Sequence, residues 1–403
     1  MQLGKTRTTF HQGPGEKVSE HIRSSEQIVG LDALRFFAAL LVVSFHLGFW
    51  PWAYPTGELF IANHGTAFPA LWFLNVGWIG VEIFFVISGF VIAYSSANAT
   101  TFSFFRSRVL RLVPAAWICA TITLLASLEA GLGTPETLTL PYLKSMTFWP
   151  RGPWLDGVFW TLPIEVAFYA WVFFAMMIPH PRAIEVVIGT LGLLSTTFLL
   201  AIQFTFDSVP WHMFSRLPTN LFLHFECFFG LGVFLWLSLF RGATISRLCV
   251  IAACGIGCLI SISGHSHGQS EWTGMVFSVV PAYLIWLFCV ALIIASVRWN
   301  AWAHQTLGAH VSMFRTLGLA TYPLYLLHQI AGNIVVGMLV AAGVEAHLAL
   351  VFAIAGAIAG AVLIAVYLEP LIRAPIRSLL NGALKFFSER LARSRFTPAP
   401  PRR

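Results

Sequence analysis

The chain has 403 residues, of which 57% are hydrophobic and 10% charged, with a formal net charge of +7. An ordinary soluble domain carries about 25% charged residues. So large an apolar share excludes a soluble globular fold and calls for a bilayer as solvent, and no polar stretch is long enough to build a separate soluble domain.

Residues 1–28 are polar, carry Lys5, Arg7, Lys17 and Arg23, and read as a disordered tail. The first apolar run begins near Val29 and contains Asp32 and Arg35. It lacks a short apolar stretch leading to a small-residue cleavage site, so it reads as a retained span and not a signal peptide. Apolar runs lie near 29–50, 71–97, 112–131, 158–178, 184–206, 219–240, 248–264, 273–297, 316–340 and 347–368. Each approaches the ~20 residues that a helix needs to cross the hydrocarbon. The expected fold is all-α, a polytopic membrane protein of about ten transmembrane helices. Its membrane domain covers 29–370 and a basic tail covers 371–403.

The basic residues test that count. With the N-terminus inside, Arg106, Arg108, Arg111, Arg182, Arg241, Arg247, Arg298 and Arg315 fall in cytoplasmic segments, together with both tails. Only Lys144, Arg151 and Arg216 fall in external loops. This segregation places both termini in the cytoplasm and assigns the basic excess to membrane orientation. Nucleic acid is thereby excluded as a partner. The external loop 132–157 holds Trp149 and Trp154, and the loop 51–70 begins with Trp52 and Tyr54. These aromatics suit an interfacial belt, and also stacking on sugar faces. Cys119, Cys227, Cys249, Cys254, Cys258 and Cys289 all fall in apolar runs and read as buried packing residues. No metal site is expected.

Ionisable side chains at mid-bilayer are costly, so they usually line a cavity and act there. Asp32, Arg35, His46, Glu82, Glu165, His224, Glu226 and His328 lie within or at the margins of spans and are expected to converge on one polar chamber. Arg35 and His46 are eleven residues apart. That is about three helical turns, or roughly 16 Å of rise on one face. This face offers a cation toward the cytoplasm and a proton acceptor farther out, unless Asp32 simply neutralises Arg35 and His46 is a packed core histidine. Arg108 and Arg111 share a face one turn apart and suit bidentate binding of phosphate, although arginines at an inner boundary are also expected from topology alone. The segment Glu82 to Phe90 sets a carboxylate and the pair Ser88-Gly89 in the second span, and Ser88-Gly89 reads most simply as a close helix contact. Trp160 to Glu165 sets a proline and a carboxylate in the fourth span, and Thr321 to His328 sets hydroxyls and a histidine in the ninth.

Six groups of residues, in this order, resemble the acyltransferase-3 family of integral membrane O-acyltransferases. They are Arg35 with His46; Phe84-Phe85 with Ser88-Gly89; Arg108 and Arg111 with Pro114 and Trp117; Trp160, Leu162 and Glu165 with Phe168-Tyr169; Tyr322, Tyr325, Leu326 and His328; and Glu369-Pro370. Thr161, where the family usually has serine, and Gln329, where an aromatic is common, depart from its pattern. The resemblance implies transfer of an acyl group, most often acetyl, from cytoplasmic acyl-CoA to a hydroxyl. The acceptor would be a surface or lipid-linked carbohydrate, or a small molecule such as a macrolide. It also implies a multi-pass protein of the inner, cytoplasmic membrane, partnered by acyl-CoA, a carbohydrate or glycolipid acceptor and membrane lipid. Acyl-CoA is then a donor substrate, with no permanently bound cofactor.

In that reading His46, Glu165 and Arg35 are catalytic, with His46 as general base and Glu165 orienting it or binding acceptor hydroxyls. Arg108, Arg111, Glu82, Ser88, Tyr322 and His328 bind substrate. A secondary transporter also uses intramembrane carboxylates and histidines, but the inverted repeats and paired broken helices that favour one are not found in this sequence.

Overall fold

The computed structural model describes residues 27–55, 57, 62, 71–206 and 223–395. The tail up to residue 26, most of the loop 51–70, Arg216 and the N-terminal part of the run at 219–240 lie outside these residues. Among the described residues there are helices and no strand. This suits a chain in lipid, where each backbone N–H and C=O must be paired within its own segment or in a closed barrel.

Among the described residues eight helical stretches are long and apolar enough to cross a membrane, and a bent pair makes up to nine. They begin with α1 (Val29–Gly48), α2 (Ile79–Ser96) and α3 (Thr101–Glu129). The loop 132–157 then contains a helix that the hydropathy pattern does not announce, α4 (Pro135–Met146). Its start is nonetheless written in the sequence: Pro135 opens the first turn, and Thr134 and Thr137 form a reciprocal capping box. Then follow α5 (Thr161–Met177), α6 (Ala183–Phe206), α7 (Glu226–Arg241), α8 (Ile245–Thr273) and α9 (Val280–Arg298).

The ninth apolar run is broken. α10 (Val311–Leu327) and α11 (Ile330–Ala341) meet at a bend of 75° around His328 and Gln329. The last run is α12 (Ala346–Leu363), which continues through a π-helical turn at Ile364–Leu368 into α13 (Glu369–Arg395). The boundary expected near 370 is therefore no break in the helix. Pro370 follows directly on the π-helical turn, where the regular hydrogen-bond ladder is already interrupted. α7, at 16 residues, is short of a full span and represents the described part of the run at 219–240.

α2 and α7 form the centre. The α2 span is 78% buried, against 28% for α8 and for α9, so the latter two present most of their surface to lipid. Two glycines let α2 and α7 touch. A Cβ at Gly89 would lie 2.2 Å from the Phe229 carbonyl oxygen, and one at Gly232 would lie 2.0 Å from that of Val86. The Ser88-Gly89 pair thus marks a close helix contact. α1 packs on α2, α9 and α10, and α3 packs on α5, α10 and α13. Five of the six cysteines are buried, but Cys249 is exposed on α8, because that face looks outward.

Candidate active site

A cavity of about 100 Å³ opens among α1, α2, α3, α5 and α10. Arg35 comes from α1, Ser88 from α2, Arg108 and Arg111 from α3, Glu165 and Tyr169 from α5, and Thr321, Tyr322 and Tyr325 from α10. Val81, Phe84, Phe85 and Leu162 supply apolar wall. α3 starts at Thr101, well before the apolar run at 112–131, so Arg108 and Arg111 sit inside the helix and reach the chamber from its first turns.

The chamber is rich in positive charge. Arg35 pairs with Asp32 at 3.3 Å, one turn back on α1. Arg108 and Arg111 form no ion pair among the described residues. Instead the Arg108 guanidinium lies 5.7 Å from the Tyr169 ring centre and that of Arg111 lies 5.7 Å from Tyr322. The aromatic faces orient both groups without neutralising them. Glu165 accepts hydrogen bonds from the Ser88 hydroxyl at 3.1 Å and from the Tyr169 hydroxyl. Tyr322 is pinned by donating to the Leu112 carbonyl at 3.3 Å, and the Tyr325 hydroxyl donates to the Val158 carbonyl at 3.2 Å.

His46 and His328 stand apart from the arginines and do not line this cavity. Nδ1 of His46 lies 2.9 Å from Nε2 of His328, and the two rings stack with centres 5.1 Å apart. The pair adjoins the chamber through Tyr325, whose ring centre is 6.0 Å from that of His328. Glu82 is elsewhere again. It pairs with Nδ1 of His265 on α8 at 3.0 Å, and that ring stacks on Trp78 at 3.9 Å.

The ionisable groups of the spans therefore do not converge on one chamber. Arg35 and Glu165 share the cavity with Arg108, Arg111, Ser88 and Tyr322. His46 and His328 form a second centre, Glu82 and His265 a third, and His224 and Glu226 are buried at the start of α7. Nor does Glu165 orient His46: Ser88 and Tyr169 occupy Glu165, and His328 is the partner of His46.

Asp156, Asn333 and His265 also shape the region, although periodicity did not single them out. Asp156 is fully buried and accepts from the backbone N–H of Val158 with one oxygen and from that of Ile330 with the other. It thus ties the loop 132–157 to the start of α11, capping two helical N-termini at once. The Asn333 amide donates to the backbone carbonyls of His46 and Gln329 at 3.2 and 2.8 Å. An asparagine in a mid-span apolar run was the available signal. Among the described residues no group of three or more His, Cys, Asp and Glu side chains is placed to hold a metal ion.

Comparison with known proteins gives a consistent family. The chain is 35% identical over 125 residues to "Exopolysaccharide production protein ExoZ" of Rhizobium meliloti, a match covering 28% of this chain and 39% of that protein. It is 38% identical over 98 residues to "Putative peptidoglycan O-acetyltransferase YrhL" of Bacillus subtilis, covering 23% of this chain and 12% of that one. It is 28% identical over 153 residues to "Acyltransferase MdmB" of Streptomyces mycarofaciens, covering 36% and 38%. Each match thus spans well under half of the relative's own length. No solved structure matches significantly. The family described as Acyltransferase domain, Acyl_transf_3, matches residues 28–366, nearly the whole helical bundle, and the chain belongs to that family.

Proposed function

We propose that this protein is a multi-pass O-acyltransferase of the inner, cytoplasmic membrane. It moves an acyl group, most often acetyl, from cytoplasmic acyl-CoA to a hydroxyl of a surface or lipid-linked carbohydrate. The observation that carries the donor half is the chamber: Arg108 and Arg111, which form no ion pair among the described residues, join Arg35 in a cavity with both polar and apolar walls. Partly buried guanidiniums without a carboxylate partner favour an anionic ligand, and their forks match the phosphate groups of coenzyme A. The acceptor half draws on the relatives, one named for exopolysaccharide production and one for peptidoglycan O-acetylation.

Basic residues set the orientation, with the Arg35 end of α1 and both termini on the cytoplasmic side. Coenzyme A phosphates bind at Arg108 and Arg111, and the pantetheine arm runs into the chamber. There Ser88, Glu165 and Tyr322 offer hydrogen-bonding groups along the wall. His46 is the general base on the acceptor hydroxyl, since an imidazole exchanges protons near neutral pH. Glu82, held by His265 at 3.0 Å, contributes to substrate binding apart from this chamber. Mass spectrometry of surface glycans and secreted small molecules, from cells with and without the gene, tests the reading. The expected result is loss of one acyl mass from a hydroxyl-bearing glycan. Identical profiles from the two strains would contradict it.

A further inference from the structure

The hydrogen bonds around His328 fix more than its own position. Its Nδ1 lies 2.9 Å from the Tyr325 carbonyl oxygen and 3.1 Å from that of Leu324. The helix break creates this arrangement, because α10 ends at Leu327 and no backbone amide reaches the Tyr325 carbonyl among the described residues. Carbonyl oxygens only accept, so Nδ1 of His328 carries a hydrogen. His328 is fully buried and forms no ion pair among the described residues. A second ring proton would leave an uncompensated charge there, which is costly. The ring is therefore neutral, and its Nε2 is a bare lone pair.

That lone pair faces Nδ1 of His46 at 2.9 Å. The contact is a hydrogen bond only if His46 carries its proton on Nδ1, which leaves the lone pair of His46 on Nε2. Among the described residues His46 Nε2 has no hydrogen-bond partner, and the His46 side chain is only partly buried. Asn333 holds the His46 carbonyl at 3.2 Å, so backbone and ring are both fixed from the α10–α11 corner. Asp156 fixes that corner in turn through the Ile330 amide at 3.0 Å.

We infer that His328 is the positioning residue for His46, locking it in the Nδ1–H tautomer so that Nε2 is the proton acceptor. The inference rests on the proposed general-base role of His46. The acceptor hydroxyl gives its proton to Nε2 of His46 while its oxygen forms the new C–O bond at the thioester carbonyl carbon. The C–S bond then breaks, and the proton passes from Nε2 to the departing thiolate. Ester, free thiol and a neutral His46 remain. While His46 is cationic, its Nδ1–H donates more strongly to the neutral His328 ring, and no proton crosses from His46 to His328.

Two measurements on the full-length protein in nanodiscs test this. His328→Gln places an amide oxygen where Nε2 stood, whereas His328→Leu removes the acceptor. Loss of a histidine's orienting partner typically costs 10- to 100-fold, and up to ~10⁴-fold where the wrong tautomer results. His328→Leu should lower kcat by about 100-fold or more with KM for acyl-CoA unchanged, and His328→Gln should stay within about tenfold of wild type. Nitrogen-15 NMR of histidine-labelled wild type, with the His46 signals assigned from His46→Gln, reads the tautomer even if His328→Leu fails to fold. The expected signals are pyrrole-type Nδ1 and pyridine-type Nε2. The reverse assignment, or wild-type kcat in His328→Leu, overturns the inference while leaving the base role of His46 standing. Full turnover in His46→Gln overturns the base role itself, whatever the tautomer.

Discussion

Replacing Arg108 and Arg111 tests the chamber where its chemistry is most exposed. A hydrogen bond to a charged group contributes roughly 1.5–3 kcal/mol, so one alanine substitution should weaken coenzyme A binding about 10- to 150-fold. The two guanidiniums lie one turn apart on α3 and line one cavity, so their effects are coupled and will not simply add. For Arg108→Ala with Arg111→Ala, a loss of about 100- to 1000-fold is expected. Arg35→Ala should weaken binding less, because Asp32 at 3.3 Å already neutralises part of that charge. Lysine at 111 keeps the charge but loses both the fork and the stack on Tyr322, so Arg111→Lys should recover only part of the affinity. Isothermal titration with coenzyme A in nanodiscs measures this, and dephospho-coenzyme A separates contacts with the 3′-phosphate from those with the pyrophosphate. Wild-type affinity in the folded double variant would refute the donor assignment and return both arginines to orientation signals.

Two further predictions concern the scaffold and its pH dependence. Gly89→Val places a Cβ 2.2 Å from the Phe229 carbonyl oxygen, and backbone cannot yield as a flexible side chain would. Size-exclusion chromatography should show little monodisperse protein, whereas Gly255→Ala, where a Cβ meets nothing within 4 Å, should behave as wild type. At the start of α12, the backbone amides of His347 and Leu348, and then the His347 ring, hold the Glu345 carboxyl below its ordinary range. A lowered folded-state pKa means stabilisation that is complete above about pH 4.3 and lost as pH falls through the folded value. Hydrogen exchange at the Leu348 amide, which donates to Glu345 at 3.0 Å, should be slower in wild type than in Glu345→Gln at pH 7. The difference should close toward pH 3. Equal protection at neutral pH would remove Glu345 as a cap.

Helical periodicity carried the reading as far as single elements reach. It placed Arg35 and His46 on one face of α1, Arg108 and Arg111 together on α3, and Glu165 near the start of α5. Pairings across the bundle were out of its reach. His46 meets His328 across 282 positions and Glu82 meets His265 across 183, and no local spacing encodes such contacts. The single polar chamber expected from the cost of buried charge became separate centres, because each group found a partner on a different neighbouring helix. Local polarity also hid helix starts. α3 begins at Thr101, where the Thr100 side chain accepts from the Ser103 amide, although Ser103, Arg106, Ser107, Arg108 and Arg111 interrupt the apolar pattern there. The break at His328 was invisible to hydropathy, since α10 and α11 are apolar on both sides of it.

The central claim is that this fold moves an acyl group from coenzyme A to a hydroxyl, with His46 taking the proton. Its most direct test is release of free coenzyme A thiol by purified protein in nanodiscs, supplied with acetyl-CoA and a hydroxyl-bearing carbohydrate. Wild type should release thiol in proportion to acceptor, and His46→Gln should release none above background while still binding acetyl-CoA. Acceptor-dependent release by His46→Gln at the wild-type rate would contradict the account.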